Sequence, residues 1–399
     1  MRETSSAESA INHTNAMITA APRKKINILY IIDELKGGAG TERHLVQLAT
    51  RLNRDEYQTT VCCFDGGENA LEQALAEQGI QLINLDLHKI YSMQAVQKAR
   101  ELSKIIQTRN VDIVQTYHFK SDTFGVIVAK LSGVKKIISS RRDTGELKTP
   151  RQLMLNKAIN RYINSFIMVC NEVGRKSWES ESIPFEKMET IYNGVDLNRF
   201  RMVESSFNTE LARKYNIEQG DFVVGTVAMF RPEKAYNIFF QAIERIQGKV
   251  DRLKVLAIGM GPESEHYKKY CNAGPLKNIV HFPGYIEDTE RHLPLMDIFC
   301  LVPNKREGFS NALIEAMAMS RPVIATDVGG NAEAVVDGET GIIIPPDDPE
   351  KLADALLHLH RNPFLRKQFG KNSRRRVEQM FTVEKMIEHH EIFYRRLIV

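Results

Sequence analysis

The stretch Ile26-Asn27-Ile28-Leu29-Tyr30-Ile31-Ile32, followed by Lys36-Gly37-Gly38-Ala39-Gly40 and then by the helical pattern Glu42–Leu52, decides the fold class.

 The apolar, β-branched run reads as a strand buried on both faces. The glycine cluster reads as a turn, with Gly38, Ala39 and Gly40 at its centre. The same succession returns in the second half: strand Phe222–Ala228, basic turn Phe230-Arg231-Pro232-Glu233-Lys234, helix Asn237–Ile246. Two such openings predict two domains of one kind.

Outward from these openings, short apolar runs alternate with amphipathic stretches, as in βαβ units around a parallel sheet. Thr59–Phe64, Gln81–Leu85, Ile113–Thr116, Lys136–Ser139 and Ser165–Val169 complete the first set of strands. Lys254–Ile258, Ile279–Phe282, Ile298–Val302, Val323–Thr326 and Gly341–Ile344 complete the second. Met93–Thr108 and Pro349–Leu359 read as helices between them. A chain of 399 residues exceeds what one hydrophobic core usually serves. The expected fold is therefore α/β, with two Rossmann-like doubly wound domains facing a central cleft. Residues 25–194 form the first domain and 195–382 the second, joined at the turn-rich Ile191-Tyr192-Asn193-Gly194-Val195-Asp196. The polar segment 1–24 has no apolar core of a signal peptide and is expected to be a disordered tail. Ligands of such sheets lie beyond the carboxyl ends of the strands, so facing domains would share one site.

Composition narrows the function. An apolar fraction of 43% and a charged fraction of 26% are those of a soluble globular protein. No run approaches the roughly 20 apolar residues of a membrane span. A net charge of +4 does not indicate nucleic acid. Cys62, Cys63, Cys170, Cys271 and Cys300 make no C-x-x-C pair and read as reduced, buried thiols of a cytoplasmic protein.

The richest segment is Arg306-Glu307-Gly308-Phe309-Ser310-Asn311-Ala312-Leu313-Ile314-Glu315. It follows the strand Ile298–Val302 and opens a helix near Ser310, a good N-cap. Free backbone N–H groups and the helix dipole there suit a phosphate. Glu315 lies about 7.5 Å along the axis, and its side chain leans back toward that terminus. A carboxylate there can accept two ribose hydroxyls, while Glu307 in the loop meets another part of the same ligand. The bland alternative is two solvated glutamates; the strand–turn–helix setting favours the site. Arg231 and Lys234, directly after a strand, can stabilise a departing diphosphate, which needs cations more than a proton donor. By themselves they also fit a solvated charge cluster. Gly37 and Gly38 allow close approach of backbone to ligand, and Thr41 can cap the next helix. The loop completes neither G-x-G-x-x-G, because Arg43 holds the last place, nor a P-loop. His118 and Asp143 each follow a strand, as does the loop Gly329-Gly330-Asn331-Ala332-Glu333. There is no D-x-D to hold a divalent metal against a diphosphate.

Together these motifs resemble the family 4 retaining glycosyltransferases of the GT-B fold, from about Lys25 to the C-terminus. The most specific match is E-G-F-S-N-A-L-I-E, two glutamates with seven residues between them. The resemblance implies that Glu307 contacts the donor sugar and Glu315 the nucleotide ribose. It assigns Arg231 and Lys234 to the diphosphate, Gly37 and Gly38 to the N-terminal glycine loop, and His118 to the donor sugar. Gly308, Phe309, Ser310, Asn311, Ala312 and Leu313 complete the donor side; Arg142 and Asp143 are assigned to the acceptor side. Asn193-Gly194-Val195-Asp196 matches the interdomain N-G-V-D, and Gly259-Met260-Gly261-Pro262 a G-x-G-P turn. Ala235 departs from the family's usual glycine after the lysine. The family's final helix returns to the first domain, which places Val383–Leu397 there.

The implied activity is metal-independent transfer, with retention, of a hexosyl or N-acetylhexosaminyl group. The donor is a UDP- or GDP-sugar, the acceptor a glycan or lipid-linked molecule of a bacterial cell-surface pathway, and no cofactor is needed. A nucleotide-sugar epimerase of the same fold and a non-catalytic nucleotide-sugar binding protein are the rivals. No epimerase signature is present, and a binding protein need not keep Arg231, Lys234, Glu307 and Glu315 together. Arg141, Arg142, Lys148, Arg151, Lys157 and Arg161 surround Leu153, Leu155, Ile159 and Ile163. That pattern fits either contact with the inner face of the plasma membrane or a helix packed on its own domain with a solvated basic face.

Overall fold

The structure, a computed structural model, describes residues 24–37, 40–146, 148–201 and 208–398. The expected tail falls outside it except for Lys24, as does Gly38. Among the described residues, thirteen strands form two sheets, all parallel. The first holds β1 (Ile26–Leu35), β2 (Tyr57–Gly66), β3 (Gln81–Asn84), β4 (Ile113–Tyr117), β5 (Lys136–Arg141), β6 (Ser165–Met168) and β7 (Met188–Thr190). The second holds β8 (Phe222–Val227), β9 (Leu253–Ile258), β10 (Val280–Gly284), β11 (Ile298–Leu301), β12 (Val323–Thr326) and β13 (Gly341–Ile344). Strand order is β3-β2-β1-β4-β5-β6-β7 in the first and β10-β9-β8-β11-β12-β13 in the second. The second is the first without its last strand. Twelve of the thirteen strands coincide with apolar runs of the sequence. The short β7 carries Met-Glu-Thr and no apolar run to betray it.

Period-two alternation explains the layering. Leu29 and Ile31 of β1 join one core with Leu102 and Ile106 of the helix Met93–Thr108. Ile28, Tyr30 and Ile32 face the other way, into a core with Leu45 and Leu48 of the helix Gly40–Arg51. The last helix, Val383–Ile398, belongs to that second core. Its Tyr394 hydroxyl donates to Gln115 Oε1 at 2.6 Å and lies 3.2 Å from the Tyr30 hydroxyl.

The chain thus crosses between the sheets twice, and the two crossings lie against each other. Val195 N–H donates to Phe381 O at 2.9 Å, and Val383 N–H donates to Val195 O at 3.1 Å. Gly194 permits this approach: a Cβ there would lie 2.6 Å from backbone atoms of Thr382 and Val383. Any other residue would force the strands of this junction apart.

Candidate active site

The switch point of each sheet, between β1 and β4 and between β8 and β11, opens onto one cleft of about 700 Å³. His118, Arg142 and Asp143 line it from the first half. Arg231, Lys234, Glu307, Gly308, Phe309, Ser310, Asn311, Ala312 and Glu315 line it from the second. Residues far apart in sequence therefore converge.

The second half's contribution follows from two turns. After β8 the chain makes a single turn, Pro232–Lys234, and Ala235 then adopts a left-handed φ of 49° before the helix Tyr236–Ile246. This is the conformation that explains glycine's advantage at that position. Arg231 is exposed and forms no ion pair among the described residues, whereas Lys234 Nζ lies 2.5 Å from Glu307 Oε2. An ammonium has three donors, so Lys234 can hold Glu307 and still reach a ligand. After β11, Ser310 caps the helix Asn311–Ala318 by accepting the Leu313 N–H at 3.4 Å. Glu315 lies half-buried on that helix; burial raises its pKa, with Arg43 and Arg199 partly opposing the shift. Leu313 itself does not line the cleft. Its side chain is fully buried in the core, because helical spacing turns it away from Glu315.

In the first half, His118 follows β4 with a left-handed φ of 71°. The Asp33 carboxylate holds this bend by accepting the N–H groups of Lys120 at 3.1 Å and Ser121 at 2.6 Å. Such backbone, costly for a non-glycine residue, concentrates at ligand sites. Gly37 stands apart from the cleft lining. The Glu42 carboxylate accepts its N–H at 2.5 Å and that of Lys36 at 2.9 Å. Those two amides are therefore occupied from within. Thr41 lies inside the helix Gly40–Arg51 rather than at its cap.

The two halves also grip each other around the cleft. Arg142 donates to Asn193 Oδ1, and Asn193 Nδ2 donates to Phe309 O at 2.8 Å. Burial pulls the Arg142 pKa down to about 10, which still leaves it charged at neutral pH. His44, 3.5 Å away, is held well below its usual pKa by burial and then by Arg142. Gly308 packs directly on Arg142: a Cβ there would lie 2.2 Å from Arg142 O. Arg306 approaches Asp143 at 3.7 Å and Glu233 at 3.4 Å. Glu333, expected in a cleft loop, instead accepts the N–H groups of Asn171 at 2.9 Å and Glu172 at 2.8 Å. It thereby caps a helix of the opposite half.

Sequence reasoning missed Arg43, Tyr285, Ile286 and Thr289 as cleft residues. Arg43 was visible as a cation just after the glycine loop. Tyr285 and Ile286 follow β10 and carry only their strand-end position as a signal. The basic segment also changes character. Arg141 is buried between Asp122 and Glu181, and Lys148 pairs with Glu181, so only Arg151, Lys157 and Arg161 of that group are well exposed.

Comparison with known proteins agrees with this architecture. A family model described as Glycosyltransferase Family 4 matches residues 38–199, and one described as Glycosyl transferases group 1 matches residues 221–362. N-acetyl-alpha-D-glucosaminyl L-malate synthase of Bacillus anthracis is 26% identical over 300 residues, 74% of this chain and 77% of that one. The capsular polysaccharide biosynthesis glycosyltransferase CapM of Staphylococcus aureus is 32% identical over 206 residues, 51% of this chain and 52% of that one. Among solved structures, Anabaena Alr3699/HepE in complex with UDP superposes with a TM-score of 0.82 at 19% identity, covering 93% of this chain and 100% of that one.

Proposed function

Because the chain belongs to the group 1 and family 4 glycosyltransferases of GT-B fold, and is an enzyme of hexosyltransferase type, we propose a specific reaction for its cleft. It transfers a hexosyl or N-acetylhexosaminyl group from a nucleoside-diphosphate sugar, with retention and without a metal, to a glycan or lipid-linked acceptor. The observation that carries this reading is the convergence of Arg231, Lys234, Glu307, Glu315 and one helix start in a single cleft. Arg231, Lys234 and the N–H groups at Ser310 meet the diphosphate, and these cations supply the charge a metal would bring. Glu315 accepts the ribose hydroxyls and Glu307 orients the sugar, with Lys234 as its anchor. His118 approaches the sugar from the opposite wall. UDP is the favoured nucleotide, since Anabaena Alr3699/HepE was solved with UDP and with UDP-glucose.

The chemistry needs no covalent nucleophile. The C1–O bond to the diphosphate breaks as the acceptor hydroxyl forms its bond to C1 on the same face. The departing phosphate oxygen takes the hydroxyl proton. Closure of the two halves excludes water, which would otherwise hydrolyse the donor.

CapM and the O-antigen chain mannosyltransferase C of Escherichia coli are similar to this chain, which favours a bacterial surface polysaccharide or glycolipid as the acceptor. A cytoplasmic enzyme acting on a lipid-linked acceptor would rest against the inner face of the plasma membrane. Exposed Met154, Tyr162, Trp178 and Phe185, beside Arg151, Lys157 and Arg161, make the surface suited to that contact. The test is incubation with UDP- and GDP-sugars, with and without acceptor, in the presence of EDTA. Acceptor-stimulated UDP release and an axial or equatorial product matching the donor support the proposal. Loss of turnover in EDTA, or an inverted product, overturns the corresponding part.

A further inference from the structure

A second cavity, of about 650 Å³, lies on the far side of the C-terminal sheet from the cleft. Its walls come from Asp297 before β11, from Ser320-Arg321-Pro322 before β12, and from the helix Pro363–Met380. These are the amino ends of the strands, where the cleft occupies the carboxyl ends. Among the described residues, six cationic side chains line it against two carboxylates, Asp297 and Glu378.

The cations divide into two kinds. Arg321, Arg366 and Arg374 form the floor and are committed to backbone. Arg321 donates to Met296 O at 2.8 Å, Arg366 to Leu359 O at 2.7 Å, and Arg374 to Ala318 O at 2.7 Å. Lys367, Lys371 and Arg375 form the rim, exposed and spaced one turn apart at i, i+4 and i+8. Among the described residues none of these three has a carboxylate partner. The carboxylates nearby are already engaged: Glu378 pairs with Arg374 at 2.6 Å, and Asp297 accepts the Val223 N–H at 2.9 Å. Other surface helices of this protein behave differently. Arg175 pairs with Glu172 and Glu179, Lys268 with Glu265, and Arg395 with Glu391. Three like charges in a row with no such partner repel one another on the helix.

We propose that this cavity is a second anion site, taking a diphosphate or a similarly phosphorylated group between the three rim cations. The forked guanidinium of Arg375 suits two phosphate oxygens, and the two ammonium groups supply point charges along the same line. The space exceeds that of one phosphate. A single helix connects the two sites: Ser310, at its start, lines the cleft, and Ser320 and Arg321, beyond its end, line this cavity.

The test is calorimetric titration of the full chain with inorganic pyrophosphate at about 150 mM salt, where loosely held surface charges are largely screened. It is run in an Arg231→Ala/Lys234→Ala background, which removes cations of the cleft, and in that background with Lys367→Ala/Lys371→Ala/Arg375→Ala added. Saturable binding in the parent that weakens by at least about tenfold on adding the triple change is the expected result. Equal affinity in both, or uptake that never saturates, overturns the proposal. Vesicles containing phosphatidic acid then separate the sources. Competition between vesicles and pyrophosphate identifies a lipid headgroup; saturable pyrophosphate binding without competition identifies a soluble phosphate.

Discussion

The two halves of the molecule share one strand order, yet they use their charges in opposite ways. The N-terminal half turns its charges inward. Arg141 is buried with Asp122 and Glu181, Lys148 reaches Glu181 as well, and Glu42 occupies the amides of its own glycine loop. The C-terminal half turns its charges toward the cleft, with Arg231 unpaired among the described residues and Lys234 set against Glu307. Topology fixes where a ligand can lie; the loops at the strand ends decide which half holds it. The first half also lends His118, Arg142 and Asp143 to the cleft, but its strongest ion pairs are buried away from it.

The sharpest way to break this comparison is to remove one cation from each half. Arg141→Ala would leave two buried carboxylates facing each other without their common partner, at a cost of about 3–5 kcal/mol. Urea unfolding should show the loss directly; a change below about 1 kcal/mol would mean that the network is not a structural anchor. Lys234→Ala should do the reverse, leaving the unfolding midpoint near wild type while lowering turnover on the order of 10²–10³-fold. Normal turnover in a folded Lys234→Ala protein would remove the diphosphate assignment.

Acid sharpens the same contrast. Burial alone would raise the Glu181 pKa, but Arg141 and Lys148 outweigh it and hold the value at about 2, against an ordinary 4.5. A folded pKa below the unfolded one gives stability that is present above about 4.5 and is lost as pH falls toward 2. The contribution is on the order of 3 kcal/mol. Glu181→Gln should lose that acid-dependent component, visible as a flatter stability profile between those pH values. An unchanged profile would contradict the role given to Arg141 and Lys148.

Two smaller effects probe the junction and the turn. Gly308→Ala pushes a methyl group against Arg142 O and should cost about 1–3 kcal/mol, together with weaker donor binding as the halves are wedged apart. Donor affinity equal to wild type would show that this contact does not set the cleft. Ala235→Gly relieves the left-handed backbone after Lys234 and should raise stability by no more than about 1 kcal/mol, with turnover unchanged. A clear drop in thermal midpoint would show that the alanine side chain matters more than its backbone strain.

Much of the fold was legible because a parallel sheet buried on both faces demands apolar runs, and their alternation with helices is written locally. The residues Arg231, Lys234, Glu307 and Glu315 stood out for a similar reason, since each follows a strand end in a compact motif. The limits were equally local. β7 has no apolar run, Leu313 sits in a motif whose neighbours face the cleft while it does not, and Thr41 lines the cleft from inside its helix rather than capping it. Sequence by itself determined the two doubly wound units and the chemistry of their loops, because periodicity and turn residues act over a few positions. Only the tertiary structure decided that Arg141 is buried while Arg231 has no ion-pair partner among the described residues, that Glu333 caps a helix of the other half, and that three rim cations line a second cavity. Each of those outcomes depends on which distant groups meet, and a charge shows its partner only once the chain has folded around it.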